Sequence, residues 1–413
     1  MKNDRFLLGV ELFFEKGIYQ RYKNAKISLL THQAATDHRL RLTYELFHQF
    51  FGEKIVLLFS PQHGLFSEKQ ANMIASPDEK EPLFNLTVKS LYGPRLKPDP
   101  EDLKKSEVLF VDLVDVGCRV YTYIWTLFMT MEVCNALGKE MVILDRPNPL
   151  GNTVEGPVLE KEYISFVGLD TLPMRHGLTI GEMAKLFQKR HFPNLDLKVI
   201  PMSKYSPSKL FPHLQRPWIQ PSPNLPTFDS AYAYSGMVLL EGTNLSEGRG
   251  TTQPFLTFGA PFLKLKDLHN QLYEIFPEEE WGIYFKPQAF EPTFDKWQGT
   301  RCFGIQIHIM NYHRFSPVKF TLKLLKFIKE THEDFQLLPP PYEFERLRKP
   351  MEILLGNREI LNWLKGDKTD QLEFLLKKSI NEYLVETSSV RLYNDDEAYE
   401  THKRLCSSSL VLS

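Results

Sequence analysis

Short apolar runs, each ending in a polar cluster, recur through the first half of the chain. Ile27-Ser28-Leu29-Leu30-Thr31 leads into His32-Gln33, and Ile55-Val56-Leu57-Leu58-Phe59 leads into Ser60-Pro61-Gln62-His63-Gly64. Val108-Leu109-Phe110-Val111 leads into a stretch from Asp112 to Tyr123, and Met141-Val142-Ile143-Leu144 into Asp145-Arg146-Pro147-Asn148-Pro149. Between the runs the period changes. Leu40, Tyr44, Phe47 and Phe51 recur at helical spacing, which predicts a helix over about 38–51 stopped by Gly52. Tyr123 to Leu137 reads as a buried helix ended by Gly138, and Thr179-Ile180-Gly181-Glu182 as a capping box opening another. Leu197-Lys198-Val199-Ile200 adds a further strand. Strand–helix–strand alternation predicts an α/β fold with a mainly parallel sheet covered by helices.

Seven prolines between Pro201 and Phe228 exclude a long helix or a central strand there. The stretch reads as an ordered connector, and it places a domain boundary near its end, giving domains 1–228 and 229–413. Beyond it the alternation loosens into an α+β pattern, with a strand over 306–309 and a helix from Phe315 to Lys329 begun by Ser316-Pro317.

In an open parallel sheet, ligands bind beyond the carboxyl ends of the strands. The clusters after the apolar runs are therefore expected to line one cleft. Arg119, Tyr121 and Tyr123 alternate in an extended stretch and would share a face, near Asp112 and Asp115. That face suits a polar ligand needing a charged fork and hydroxyls; the alternative is an Asp–Arg structural pair buried by the tyrosines. Asp145, Arg146 and Asn148 lie on a loop stiffened by two prolines, with Glu155 close behind. Arg175 and His176 precede the capping box, at a helix start that favours anions. The densest polar run is Glu241-Gly242-Thr243-Asn244-Leu245-Ser246-Glu247-Gly248-Arg249-Gly250-Thr251-Thr252. Its glycines would admit a ligand close to the backbone, and its carboxylates suit acid chemistry, charge stabilisation or simple ion pairs.

Totals narrow the field. Fifty basic against fifty-one acidic residues in a 413-residue chain leave no broad positive field, so nucleic acid is not an expected partner. The apolar stretch Phe6 to Val10 is broken by Glu11, too short for a signal sequence or a membrane span; with Met1 as the start, a cytoplasmic location is expected. Four scattered cysteines, at 118, 134, 302 and 406, form no C-x-x-C pair, and no metal site is expected. No G-x-G-x-x-G, P-loop, H-E-x-x-H or G-x-S-x-G motif stands in its proper context, so no cofactor is expected. Carboxylates, amides and arginines without a cofactor fit glycoside hydrolysis.

These residues resemble a bacterial family of exo-acting β-N-acetylmuramidases, formerly a domain of unknown function. The motifs carrying the resemblance run from Gly9 to at least Gly356. They include Pro61-Gln62-His63-Gly64, Asp115-Val116-Gly117-Cys118-Arg119-Val120-Tyr121-Thr122-Tyr123, Leu144-Asp145-Arg146-Pro147-Asn148-Pro149, Arg175-His176-Gly177-Leu178-Thr179, Pro221-Ser222-Pro223-Asn224-Leu225-Pro226-Thr227 and the 241–252 run. The resemblance implies a Rossmann-like N-terminal domain, a smaller C-terminal domain and an active site in the cleft between them. It also implies release of N-acetylmuramic acid from the non-reducing end of peptidoglycan fragments, in cell-wall turnover and recycling. The expected ligands are small muramic-acid-containing saccharides or muropeptides. The family motif carries Pro-Glu-His-Gly where this chain has Gln62, and an amide cannot give up a proton at a useful pKa. Glu68, Glu155, Glu247 and Asp115 are the candidate replacements, beside Gln62 and His63 themselves. Contacts to sugar are expected from Arg119, Tyr121, Tyr123, Asp145, Arg146, Asn148, Arg175, His176, Asn224, Glu241, Asn244 and Arg249. Two other readings stay open: a saccharide-binding protein without turnover, and a nucleotide- or phosphate-binding enzyme using the 242–252 glycines.

Overall fold

Alternation within the apolar runs builds a two-faced sheet. In the computed structural model, which describes residues 5–70, 74–366, 371–378 and 380–395, the strands are β1 (Ile27–Thr31), β2 (Ile55–Ser60), β3 (Glu79–Lys80), β4 (Thr87–Ser90), β5 (Val108–Asp112), β6 (Glu140–Leu144), β7 (Glu155–Val158), β8 (Pro173–Arg175), β9 (Leu197–Ile200), β10 (Thr257–Ala260), β11 (Ile283–Phe290) and β12 (Cys302–Ile309). Seven form one sheet in the order β3-β4-β2-β1-β5-β6-β9, parallel throughout except for the short edge strand β3. Leu109 and Val111 face one apolar core and Val108 and Phe110 the other, as a period of two requires. Helices Tyr123–Leu137 and Ile180–His191 cover the first face. Helices Gly9–Glu15 and Thr43–Phe51 cover the second. The architecture is therefore α/β with a mainly parallel central sheet.

Most expected elements form close to their expected bounds. The capping box at Thr179 is complete: the Glu182 amide donates to Thr179 Oγ1 (3.2 Å) and the Thr179 amide to Glu182 Oε2 (3.0 Å). The early helix starts late, at Thr43 rather than 38. Asp37 is the reason: its Oδ1 accepts the amides of Arg39 and Arg41, both at 2.9 Å, and so folds the preceding residues into a turn. The 201–228 stretch runs without a strand or α-helix up to the helix Phe228–Met237, apart from one 3₁₀ turn at Phe211–Leu214.

The second half carries the antiparallel sheet β10-β12-β11 and the long helix Pro317–Thr331. That helix packs tightly on Phe228–Met237. A Cβ added at Gly236 would lie 2.1 Å from the Pro317 carbonyl oxygen, so only glycine permits the approach. The last described residues return to the first half. Tyr393 joins the core beneath β1, β2 and β5, its hydroxyl donating to Asp145 Oδ2 (2.6 Å), and the Tyr383 hydroxyl donates to the His176 carbonyl (2.8 Å). Cys118, Cys134 and Cys302 are buried and unpaired; Cys406 lies outside the described residues. Among the described residues, no helix is long and apolar enough to cross a membrane.

Candidate active site

A pocket opens where residues following β2 and β5 meet residues of the second half. From the first half come Gln62, His63, Tyr121, Thr122 and Ser222, and from the second Tyr234, Glu241, Arg249, Tyr342 and Glu343. Phe255, Leu225, Val120 and Val167 supply apolar wall.

The turn after β2 sets Gln62 and His63 with unusual backbone, since His63 (φ 75°) and Gly64 (φ 85°) are both left-handed. Gln62 is fixed through its oxygen, which accepts the Thr122 hydroxyl at 2.6 Å, so its amide nitrogen faces the other way. His63 Nδ1 lies 2.7 Å from the Lys69 carbonyl, which only accepts, so Nδ1 carries the hydrogen and Nε2 the lone pair. Burial pushes its pKa down to about 4, and the ring is neutral at neutral pH.

The second half contributes a charge cluster. Arg249 Nη2 reaches Glu241 Oε1 at 2.8 Å, and Arg249 Nε lies 3.3 Å from Glu247 Oε1. Lys296 Nζ lies 2.6 Å from Glu247 Oε2. The Tyr342 hydroxyl donates to Glu241 Oε2 at 2.5 Å. Beside this cluster sits Glu343, only 4% exposed. Its Oε2 accepts the Tyr92 hydroxyl at 2.7 Å, and its Oε1 lies 3.5 Å from Gln62 Nε2. Burial, reinforced by the charge of Glu241, raises its pKa to about 7, although the hydrogen bonds from Tyr92 and Gln62 and the Arg249 charge act in the opposite direction.

Of the residues expected from sequence, Gln62, His63, Tyr121, Glu241 and Arg249 line this pocket. Two others brace it. Tyr123 donates its hydroxyl to the Pro221 carbonyl (2.9 Å), and Asn224 donates to the Gln70 carbonyl (2.8 Å). The rest depart from expectation and hold the scaffold. Asp145 fills its acceptor positions with the Arg146 and Gly181 amides and the Thr179 and Tyr393 hydroxyls, although burial pushes its pKa up to about 7. Arg146 pairs with buried Asp112 through Nη2 (2.8 Å). Asn148 accepts the Leu150 amide (2.9 Å) and donates to the Leu178 carbonyl (3.1 Å). His176 Nδ1 accepts the Leu178 amide (3.2 Å), so its Nε2–H points to Asp115 at 3.0 Å. Arg175 bridges to Glu155 (3.1 Å), whose other oxygen accepts the Val318 and Lys319 amides at the start of the long second-half helix.

Among the expected acids, Glu68 is half-exposed and paired with Lys69 (3.3 Å), Glu155 caps a helix, Asp115 serves His176, and Glu247 lies under Arg249 and Lys296. Asn244 bonds the Asp334 carbonyl (2.8 Å) and the Gln336 amide (3.0 Å). The glycines of the 241–252 run approach their own chain rather than a ligand. A Cβ at Gly248 would meet the Gln253 and Thr257 carbonyls at 2.8 Å, and one at Gly250 the Phe294 carbonyl at 2.6 Å. That removes the basis for a phosphate-cradling loop.

Arg119 departs furthest. It is fully buried, and Nη2 donates to the Leu354 carbonyl (2.7 Å) and the Leu355 carbonyl (3.3 Å) of the second half. Burial lowers its pKa only to about 10, so it keeps its charge at neutral pH. Arg119→Met should therefore cost about 1–3 kcal/mol of stability by leaving buried carbonyls unpaired. Thermal unfolding would show the loss, while ligand affinity stays within about twofold; an unchanged melting temperature with weakened binding would contradict this.

Comparison with known proteins matches two consecutive stretches of the chain. The family model for the N-terminal part of exo-β-N-acetylmuramidase NamZ matches residues 27–229, and that for its C-terminal part matches residues 232–393. The chain belongs to the NamZ exo-β-N-acetylmuramidase family. The peptidoglycan β-N-acetylmuramidase NamZ of Bacillus subtilis (strain 168) is 41% identical over 323 residues, 77% of either chain. Two crystal structures of DUF1343 family proteins from Bacteroides fragilis NCTC 9343 share the fold. One, 26% identical, superposes with a TM-score of 0.81 over 94% of this chain and 99% of its own. The other, 25% identical, gives 0.72 over 95% and 100%. The pocket of this NamZ-family chain draws residues from both matched segments, with Gln62 and Tyr121 from the first and Arg249 and Glu343 from the second.

Glu343 and its neighbour Tyr342 were not legible beforehand. They occupy a tight turn closed by reciprocal bonds between Tyr342 and Glu345, each 2.9 Å, with Glu343 (φ 43°) and Phe344 (φ 63°) both left-handed. Such turns normally announce themselves with Asn or Gly, and this one has neither.

Proposed function

We propose that this chain is an exo-acting glycoside hydrolase that releases N-acetylmuramic acid from the non-reducing end of peptidoglycan-derived saccharides. One observation carries the reading: a protonatable, buried carboxyl group and several fixed hydroxyl and amide groups line one pocket between the two halves of the chain. Family membership supplies the sugar. The substrates are small muramic-acid-containing saccharides or muropeptides, handled in the cytoplasm during cell-wall turnover and recycling. We take 1–228 and 229–413 as the two domains, the first Rossmann-like, with the segment around Tyr393 returning to brace the first.

Incubation with a 4-nitrophenyl β-glycoside of N-acetylmuramic acid tests the reading. Expected is release of nitrophenol, and release of single muramic acid units from longer saccharides. Cleavage inside longer chains would remove the exo assignment. Saccharide binding with no turnover would leave a binding protein.

A further inference from the structure

Among the described residues, the acids around the pocket differ in what holds them. Glu241 is held by Arg249 and Tyr342, and Glu68, Asp115, Glu155 and Glu247 are engaged as described above. Glu343 differs in three respects. It lines the pocket, it is buried, and its carboxyl is oriented from two sides by side chains of the first half. The Thr122 hydroxyl bond fixes which end of the Gln62 amide faces it. Its left-handed turn also holds it with backbone strain, which persists only where surrounding structure over-determines it.

We propose that Glu343 is the proton donor to the leaving glycosidic oxygen, with Gln62 and Tyr92 as its positioning residues. The proposal rests on the glycosidase reading above. In the reaction the C1–O bond breaks with its electron pair on the leaving oxygen, which takes the Glu343 proton. A water oxygen bonds to C1 and releases one proton, which restores the carboxyl group. Gln62 cannot supply that proton but can hold the carboxylate formed, donating through Nε2. A donor that is half protonated near neutral pH has the acidity such a step favours. Burial sets that acidity first; the ionisable groups facing the carboxyl, Tyr92, Tyr234, Glu241, Arg249 and Tyr342, adjust it, and His63 lines the same pocket.

The leaving group provides the test. General acid catalysis matters for poor leaving groups and little for activated ones. With full-length protein, Glu343→Gln should lower kcat/KM at least ~100-fold on an alkyl or sugar β-glycoside of N-acetylmuramic acid. On the 2,4-dinitrophenyl glycoside the loss should stay within about tenfold. Tyr92→Phe removes a hydroxyl that favours the ionised carboxylate, so it should move the basic limb of the kcat/KM profile to higher pH. This second variant decides the matter if Glu343→Gln does not fold. Equal losses of Glu343→Gln on both leaving groups, full activity in that variant, or an unmoved limb in Tyr92→Phe would overturn the assignment. So would an inactive wild type made active by Gln62→Glu, because position 62 would then carry the donor. Absence of turnover in every form, Gln62→Glu included, would instead sink the glycosidase reading, and this assignment with it.

Discussion

Arg249→Met is expected to cost about 3–5 kcal/mol of folding stability, the range for removing one partner from a buried ion pair. Arg249 stands between Glu241 at 2.8 Å and Glu247 at 3.3 Å, and its guanidinium lies over the Phe255 ring at 5.1 Å. Glu247 is 1% exposed, and burial already raises its pKa. Without the guanidinium, Glu247 keeps Lys296 and Glu241 keeps the Tyr342 hydroxyl, but both buried carboxylates lose a cationic neighbour. Arg249→Lys keeps the charge but loses the fork, and should fall between wild type and Met. Urea unfolding at pH 7 measures both. A change under about 1 kcal/mol for Met would mean that the cluster is solvated and contributes little.

This cluster shows what sequence could and could not reveal. The 241–252 run stood out because carboxylates, Arg and Gly crowd within a dozen residues, and its Arg249 and Glu241 do line the pocket. Whether its glycines admitted a ligand or their own chain was a question of three-dimensional packing, answered by the close Gln253, Thr257 and Phe294 carbonyls. The sheet was legible because buried parallel strands are written as apolar runs, and Leu29, Leu58 and Phe110 need no distant partner to be recognised as core. Arg119 and Arg175 were expected at a ligand, and the structure gives both of them buried protein partners. A guanidinium that donates to main-chain carbonyls or to a helix-capping glutamate has the same sequence signature as one that donates to a ligand. Glu343 meets Gln62 across 281 residues, and no periodicity or motif encodes that encounter.

The last expectation concerns pH and is independent of any substrate. Glu343 has a folded pKa of about 7 against an ordinary value of 4.5. Between those values the folded state binds a proton that the unfolded chain has released, so stability falls as pH rises. The contribution is fully present below about pH 4.5 and is lost as pH rises to about 7. At ~1.4 kcal/mol per pKa unit, the loss across this window is about 3 kcal/mol. Burial also pushes Asp145 up to about 7 and raises Glu182, so the wild-type curve alone does not isolate Glu343. The difference between wild type and Glu343→Gln does, because the other groups are common to both and cancel. That difference should shift by about 3 kcal/mol in favour of the Gln variant between pH 4.5 and pH 8. Denaturant unfolding across this range gives the curve. A flat difference would mean that Glu343 is ionised throughout, and a carboxylate in that state at pH 5–6 has no proton to give a leaving group.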